Sequence, residues 1–189
     1  MSKRDLLLEI GLEEMPARFV TASMKQLSDK VQQWLTEKAI EFGTVEAFST
    51  PRRLAVLVKG VEESQKDIEE EAKGPAKKIA LDSEGNWSKA ALGFVRGQGM
   101  TAEDIYFKEL KGIEYAHVNK FIKGQQTVQL LSELQEIISG MTFPKNMRWA
   151  NQDLRFVRPI KWLIALFGNE IVPFSIADVE TGRETKGHR

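Results

Sequence analysis

The 189-residue sequence contains no cysteine, which excludes disulfides, a thiolate nucleophile and thiolate metal sites, and gives no sign of an oxidising compartment. Two histidines, His117 and His188, are too few for a centre built from imidazoles. Net charge is also missing, because 27 Lys and Arg balance 27 Asp and Glu. A nucleic-acid coat protein carries an excess of cations, so this balance excludes packaging by the whole surface. Long apolar runs are lacking. Leu6-Leu7-Leu8 is interrupted by Glu9, far short of the roughly 20 apolar residues of a membrane span, and no signal-peptide cleavage pattern follows. These absences predict a soluble cytoplasmic protein with no membrane partner. Hydrophobic residues, at 42%, are enough for a packed core in one large domain or two small ones.

Local charge is far from even. Residues 62–73 carry a net −4 from Glu62, Glu63, Asp67, Glu69, Glu70 and Glu71 against Lys66 and Lys73. Residues 141–162 carry +4 from Lys145, Arg148, Arg155, Arg158 and Lys161 against Asp153.

Periodicity predicts an α+β fold, a mostly antiparallel sheet layered with helices. Asp5–Ile10 reads as a short buried strand. Val20, Met24, Leu27, Val31, Trp34 and Leu35 recur at helical spacing, which predicts one long amphipathic helix from Pro16 to Phe42, roughly 40 Å long, with Gly43 as a left-handed cap. Glu13-Glu14 would complement its dipole. Strands are expected at Thr44–Ser49 and Leu54–Val58, joined by Thr50-Pro51-Arg52-Arg53. The acidic stretch lacks strand alternation, and with a short helix at Lys89–Arg96 it reads as an exposed excursion over residues 62–102, inserted in a body of residues 1–61 and 103–189. Ile105–Leu110 and Tyr115–Lys123 form a predicted hairpin turning at Lys111-Gly112. Thr127 is placed as the cap of a helix burying Leu131, Leu134 and Ile138. Trp162–Phe167 is wholly apolar, and Glu170–Val179 reads as a final strand. The abrupt end at Lys186-Gly187-His188-Arg189 suggests a piece of something longer.

Few groups suit catalysis. Gly93, Gly97 and Gly99 lack the spacing and the Gly-Lys-Ser/Thr of a phosphate loop. Glu13 and Glu14 are adjacent and diverge on a helix start, whereas catalytic carboxylates must converge on one bond. His117 lies within a strand pattern without a partner histidine. No catalytic or metal-ligating residue is assigned. The basic segment stands apart. Arginines beside aromatics suit a phosphate backbone with unstacked bases, since guanidinium forks bind phosphate and rings stack on bases. A cationic sheet face whose arginines pair with the acidic excursion would give the same composition. Arg52, Arg53, Arg183, Lys186, His188 and Arg189 add further cationic positions.

Six blocks carry a resemblance: Glu9-Ile-Gly-Leu-Glu-Glu-Met-Pro16, Thr50-Pro-Arg-Arg-Leu-Ala-Val56, Lys73-Gly-Pro75, Phe143-Pro-Lys-Asn-Met-Arg-Trp149, Phe156-Val-Arg-Pro159 and Gly182-Arg-Glu-Thr-Lys-Gly-His-Arg189. Together they resemble the β-subunit family of bacterial heterotetrameric glycyl-tRNA synthetases, in the family's order and over essentially the whole chain. The resemblance implies an aminoacyl-tRNA synthetase of two α and two β subunits that joins glycine to tRNA-Gly for protein biosynthesis. ATP with Mg would be bound and used through the α subunit, leaving no nucleotide-binding cofactor site in this chain. Family β subunits continue into an HD-like region and a C-terminal anticodon-binding domain, which makes this the N-terminal part of a longer subunit. The expected role is tRNA recognition, with Lys145, Arg148, Arg155, Arg158 and Arg189 on phosphates and Trp149 packing or stacking. The competing expectation is a non-catalytic scaffold docking the α subunit through the long helix or the Trp162–Phe167 run, with tRNA binding located in the C-terminal domains of the longer subunit.

Overall fold

The computed structural model describes residues 2–145, 147, 148 and 154–187. Chain contacts cluster into two units, residues 1–66 with 125–189, and residues 67–124. The first begins with β1 (Lys3–Leu12), α1 (Ala17–Glu37), β2 (Val45–Thr50) and β3 (Arg53–Glu62). The second holds β4 (Ile68–Ala76), α2 (Lys77–Ala80), α3 (Lys89–Gly97), β5 (Tyr106–Leu110) and β6 (Ile113–Ile122). The first unit resumes with α4 (Thr127–Leu130), a 3₁₀ turn and α5 (Leu134–Ser139). Its remaining strands are β7 (Met147–Arg148), β8 (Arg155–Phe156), β9 (Ile160–Phe167), β10 (Glu170–Ile171), β11 (Ser175–Ile176) and β12 (Val179–Gly182).

The main sheet of the first unit runs β11-β12-β9-β1-β3-β2, with β10 added beside β9. Its pairings are antiparallel except β12 on β9. Strand period two sends Leu6, Leu8 and Ile10 to one face, in register with Val58, Val56 and Leu54 on β3 and with Phe167, Ala165 and Leu163 on β9. All nine are buried. Onto this face α1 lays Phe19, Leu27, Val31, Trp34 and Leu35, and α5 adds Leu134 and Ile138. The buried stripe of α1 begins one residue earlier than its sequence period suggests, at Phe19 and Ser23, leaving Val20 and Met24 partly buried. The opposite face of the sheet carries Glu9 and Gly11 from β1, Arg53 and Ala55 from β3, and Trp162 and Ile164 from β9.

The helix is shorter than its sequence pattern suggests. It stops where Ala39 takes φ 54°, with Ile40 N–H bonded to the Leu35 carbonyl and Ala39 N–H to that of Thr36. This is a Schellman closure with alanine in the position glycine usually holds, and Gly43 has no part in it. Buried Ile40 and Leu35 supply its hydrophobic contact. Glu13 and Glu14 lie ahead of the helix, whose first turn has no acidic residue; they are ion-pair partners of Lys161 and Arg52 rather than dipole counter-charges. Thr127 sits inside its helix, and its hydroxyl donates to the Glu62 carbonyl at 2.6 Å instead of capping. The single strand expected over Glu170–Val179 is three short ones; Ala177 and Asp178, with positive φ, turn the chain between β11 and β12. Among the described residues no helix is long and apolar enough to cross a membrane.

In the second unit, the acidic stretch forms β4, a strand without apolar alternation. Its side chains are mostly exposed, and its register comes from pairing with β6. The order is β4-β6-β5, with a primed turn at Lys111 (φ 52°) and Gly112 (φ 81°) as the dipeptide suggested. The hairpin that the sequence reading grouped with the body therefore pairs with β4. Ala80, Ala91 and Ala116 form a small core under Trp87 and Phe107. The Asp67 carboxylate accepts from Gly124 N–H at 2.7 Å and ties the two ends of the unit together.

Candidate functional site

The end of β1 at Leu12 and the link that follows it towards α1 are held from two sides. Leu12 and Met15 N–H groups donate to the Arg52 and Pro51 carbonyls, and Glu13 N–H donates to that of Pro159. Three of the sequence blocks meet here. A fourth arrives through the buried Glu9, whose Oε2 accepts from Trp162 Nε1 at 2.9 Å and from Thr185 Oγ1 at 2.6 Å. Glu9 Oε1 lies 3.4 Å from Arg53 Nε. The Arg53 guanidinium is 5.6 Å from the Trp162 ring centroid and also donates to the Lys186 carbonyl. A carboxylate this deep in an apolar sheet needs such partners, since an unpaired buried charge is costly. Gly11 makes the arrangement possible. A Cβ there would fall 1.9 Å from the Trp162 ring, so only glycine lets the indole lie flat against β1.

Beside this network is a cavity of ≈ 340 Å³ lined by Trp162, Arg52, Lys161, Lys186, Glu13 and Glu14. Lys161 Nζ is 2.8 Å from Glu13 and Arg52 is 3.5 Å from Glu14, both pairs largely solvated.

The residues proposed from sequence are placed as follows. Lys145 is exposed, just beyond the buried Phe143. Arg148 and Arg155 are register partners in the β7–β8 ribbon, and Arg155 is exposed. Arg158 is half-buried; its Nε donates to the Glu14 carbonyl at 3.1 Å and its Nη1 to the Val157 carbonyl at 2.9 Å. It therefore ties the ribbon to residues 12–15 as well as carrying charge. Trp149 and Arg189 lie outside the described residues. The segment leading to Lys145 is pinned by Gln26 on α1, whose amide donates to the Thr142 carbonyl (2.7 Å) and accepts from its N–H (2.8 Å).

Sequence reasoning missed Lys161 as a site member, the Glu9–Arg53–Trp162–Thr185 network and Gln26. One signal was available: Glu9 and Gly11 alternate with Leu8, Ile10 and Leu12 in a strand, which marks a charge within a sheet and a close approach.

The acidic stretch does not draw on these cations in its described ion pairs. Glu62 pairs with Lys3 at 3.6 Å, Glu63 with Arg4, and Glu71 with Lys108 at 3.0 Å. The Ser2 hydroxyl and then Arg4 hold the Glu63 carboxyl below the usual carboxylate range. Tyr106 and then Lys108 do the same for Glu71. Among the described residues no group of three or more His, Asp or Glu side chains could hold a metal ion.

A family model described as glycyl-tRNA synthetase beta subunit matches residues 6–189. The glycine–tRNA ligase beta subunit of Bacillus subtilis (strain 168) is 65% identical over 189 residues, which is 100% of this chain and 28% of that protein. The glycine–tRNA ligase beta subunit of Halalkalibacterium halodurans is 60% identical, and that of Listeria monocytogenes serotype 4a (strain HCC23) 57%, each over 100% of this chain and 27% of its own length. The chain thus spans little more than a quarter of the length of these relatives. With the match running almost end to end, the chain belongs to the glycyl-tRNA synthetase beta-subunit family.

Proposed function

We propose that this chain is the tRNA-holding N-terminal region of a glycine–tRNA ligase β subunit, with ATP, its magnesium and the adenylate chemistry on the α subunits of an α₂β₂ enzyme. The supporting observation is the ribbon in which Arg148 and Arg155 are register partners, continued by Lys145 on one side and by Arg158 and Lys161 on the other. Arginines at paired positions of a short ribbon concentrate positive charge in one stretch of chain, for which a polyanion is the natural counter-charge. In this reading Lys145, Arg148, Arg155, Arg158 and Arg189 contact phosphates, and Trp149 packs or stacks. Phosphate contacts position the RNA; sequence discrimination resides partly in other regions of the subunit. Filter binding of tRNA-Gly across a salt series is the test. The Lys145→Ala, Arg155→Ala double variant is expected to lower affinity and to reduce the salt slope by roughly 1.4–1.8, about 0.7–0.9 per lost contact. Unchanged affinity and slope would remove these residues from the interface.

Docking of the α subunit is the second reading. The apolar stripe of α1 and the Trp162–Phe167 run do not support it, since both go largely into the core. The exposed Phe121, Ile79 and Ile113 of the second unit favour it instead, with 63%, 60% and 50% of their surface open. Co-purification of the α subunit with a Phe121→Ser, Ile113→Ser variant tests this surface; undiminished recovery argues against it.

A further inference from the structure

We propose that the cavity beside Trp162 seats one unpaired nucleotide of the bound RNA, its base against the indole and its phosphate among Arg52, Lys161 and Lys186. The assignment rests on the tRNA-holding reading and extends it from backbone contacts to a base-binding pocket.

Three features of the site carry it. The ring is fixed in advance. Gly11 leaves it room to lie on the sheet, Glu9 holds its Nε1 at 2.9 Å, and the Arg53 guanidinium stands 5.6 Å from its centroid. A stacking platform already immobilised loses little entropy when a base lands on it. The volume of ≈ 340 Å³ falls at the lower end of small-ligand sites, roughly 300–1,000 Å³, and suits one nucleotide rather than a helix groove. The cations are exchangeable. Lys161 pairs with Glu13 and Arg52 with Glu14 across solvent-exposed contacts, which contribute little, so a phosphate oxygen can replace either carboxylate. The released carboxylates then face the base edge, where exocyclic amino groups offer donors.

A nucleoside phosphate could also arrive as a free mononucleotide. The surroundings favour a polynucleotide. Arg158 reaches the Glu14 carbonyl at 3.1 Å from the β7–β8 ribbon, and Lys161 lies three residues beyond it on β9, so the cationic strip leads into the cavity.

The test is fluorescence anisotropy of the chain with two labelled single-stranded RNA hexamers, hexa-adenylate and one whose central four nucleotides are abasic. Hexa-adenylate is expected to bind about tenfold tighter, the usual consequence of one stacked base. Trp162→Leu should abolish that difference, and Trp162→Phe, which keeps a ring on Gly11, should retain part of it. Lys161→Gln should weaken both hexamers equally. Adenosine monophosphate should compete at least tenfold more weakly than hexa-adenylate. Equal binding of the two hexamers, a difference that survives Trp162→Leu, or competition by the mononucleotide at hexamer concentrations would each overturn the proposal. Parallel titration with tRNA-Gly separates the two levels. If Lys145→Ala, Arg155→Ala weakens tRNA binding while Trp162→Leu and Trp162→Phe leave it intact, the pocket assignment fails and the phosphate surface stands. If the double variant has no effect on tRNA, the underlying reading fails.

Discussion

Gly11→Ala tests the geometry on which the candidate site is built. The added Cβ would lie 1.9, 2.1 and 2.2 Å from three atoms of the Trp162 ring. Carbon atoms settle at about 3.5–4.0 Å, so the indole must retreat by roughly 1.6–2 Å. That retreat breaks the 2.9 Å hydrogen bond from Nε1 to Glu9, which is buried and cannot find water instead. Overpacking costs about 1–3 kcal/mol, and loss of a hydrogen bond to a charged acceptor about 1.5–3 kcal/mol. Reduced freedom of the unfolded chain returns roughly 0.5–1 kcal/mol. A net loss of about 3–4 kcal/mol is expected. Urea denaturation should show it as a midpoint about 1–2 M lower, for a slope of about 2–3 kcal/mol/M. In a Trp162→Ala background the clash has no partner, and Gly11→Ala should become neutral or slightly stabilising. An equal loss in both backgrounds, or a loss under about 1 kcal/mol in the parent chain, would refute the claim that Gly11 exists to admit the indole.

Three further outcomes are expected. Ala39→Gly relieves a left-handed alanine at the end of α1 and should stabilise the chain by about 0.5–1 kcal/mol, read as a higher thermal midpoint. Gln26→Ala removes both hydrogen bonds to the Thr142 backbone and should cost about 1 kcal/mol of stability; because the segment ahead of Lys145 is freed, RNA affinity should fall too, as native gel shifts would show. The Tyr106 hydroxyl, donating to the Glu71 carboxylate at 2.6 Å, is pushed up to about 12. Its contribution is therefore intact below about 10 and lost as pH rises towards 12, whereas that of the depressed Glu71 is present above the ordinary carboxylate value and lost below it. Tyrosinate absorbance should show one of the two tyrosines ionising near pH 12, and Tyr106→Phe should delete that step.

Legibility followed burial pattern. Elements with a strong apolar period were readable: α1 from its stripe, β3 from an unbroken apolar run, and the β5–β6 hairpin from Lys111-Gly112. Residues whose conformation depends on a partner strand were not. The acidic β4 has no period of its own, and backbone pairing with β6 makes it a strand. Helix termination at Ala39 was hidden because alanine carries no signal for a left-handed residue, and the burial of Ile40 and Leu35 enforces it. The basic segment was visible as composition. Its partners Glu13 and Glu14 were not, because they sit far from Lys161 and Arg52 in sequence.

By itself the sequence determined the class of fold, the position of the long helix, the separation of acidic from basic segments and the family. Those depend on local period, local charge and the order of short blocks. Tertiary structure decided that Glu9, Arg53, Trp162 and Thr185 form one network and that a cavity opens beside it. The physical reason is strand register. Antiparallel pairing of β1 with both β3 and β9 puts Gly11 between Arg53 and Trp162, a juxtaposition of residues from three distant parts of the chain that no local pattern encodes.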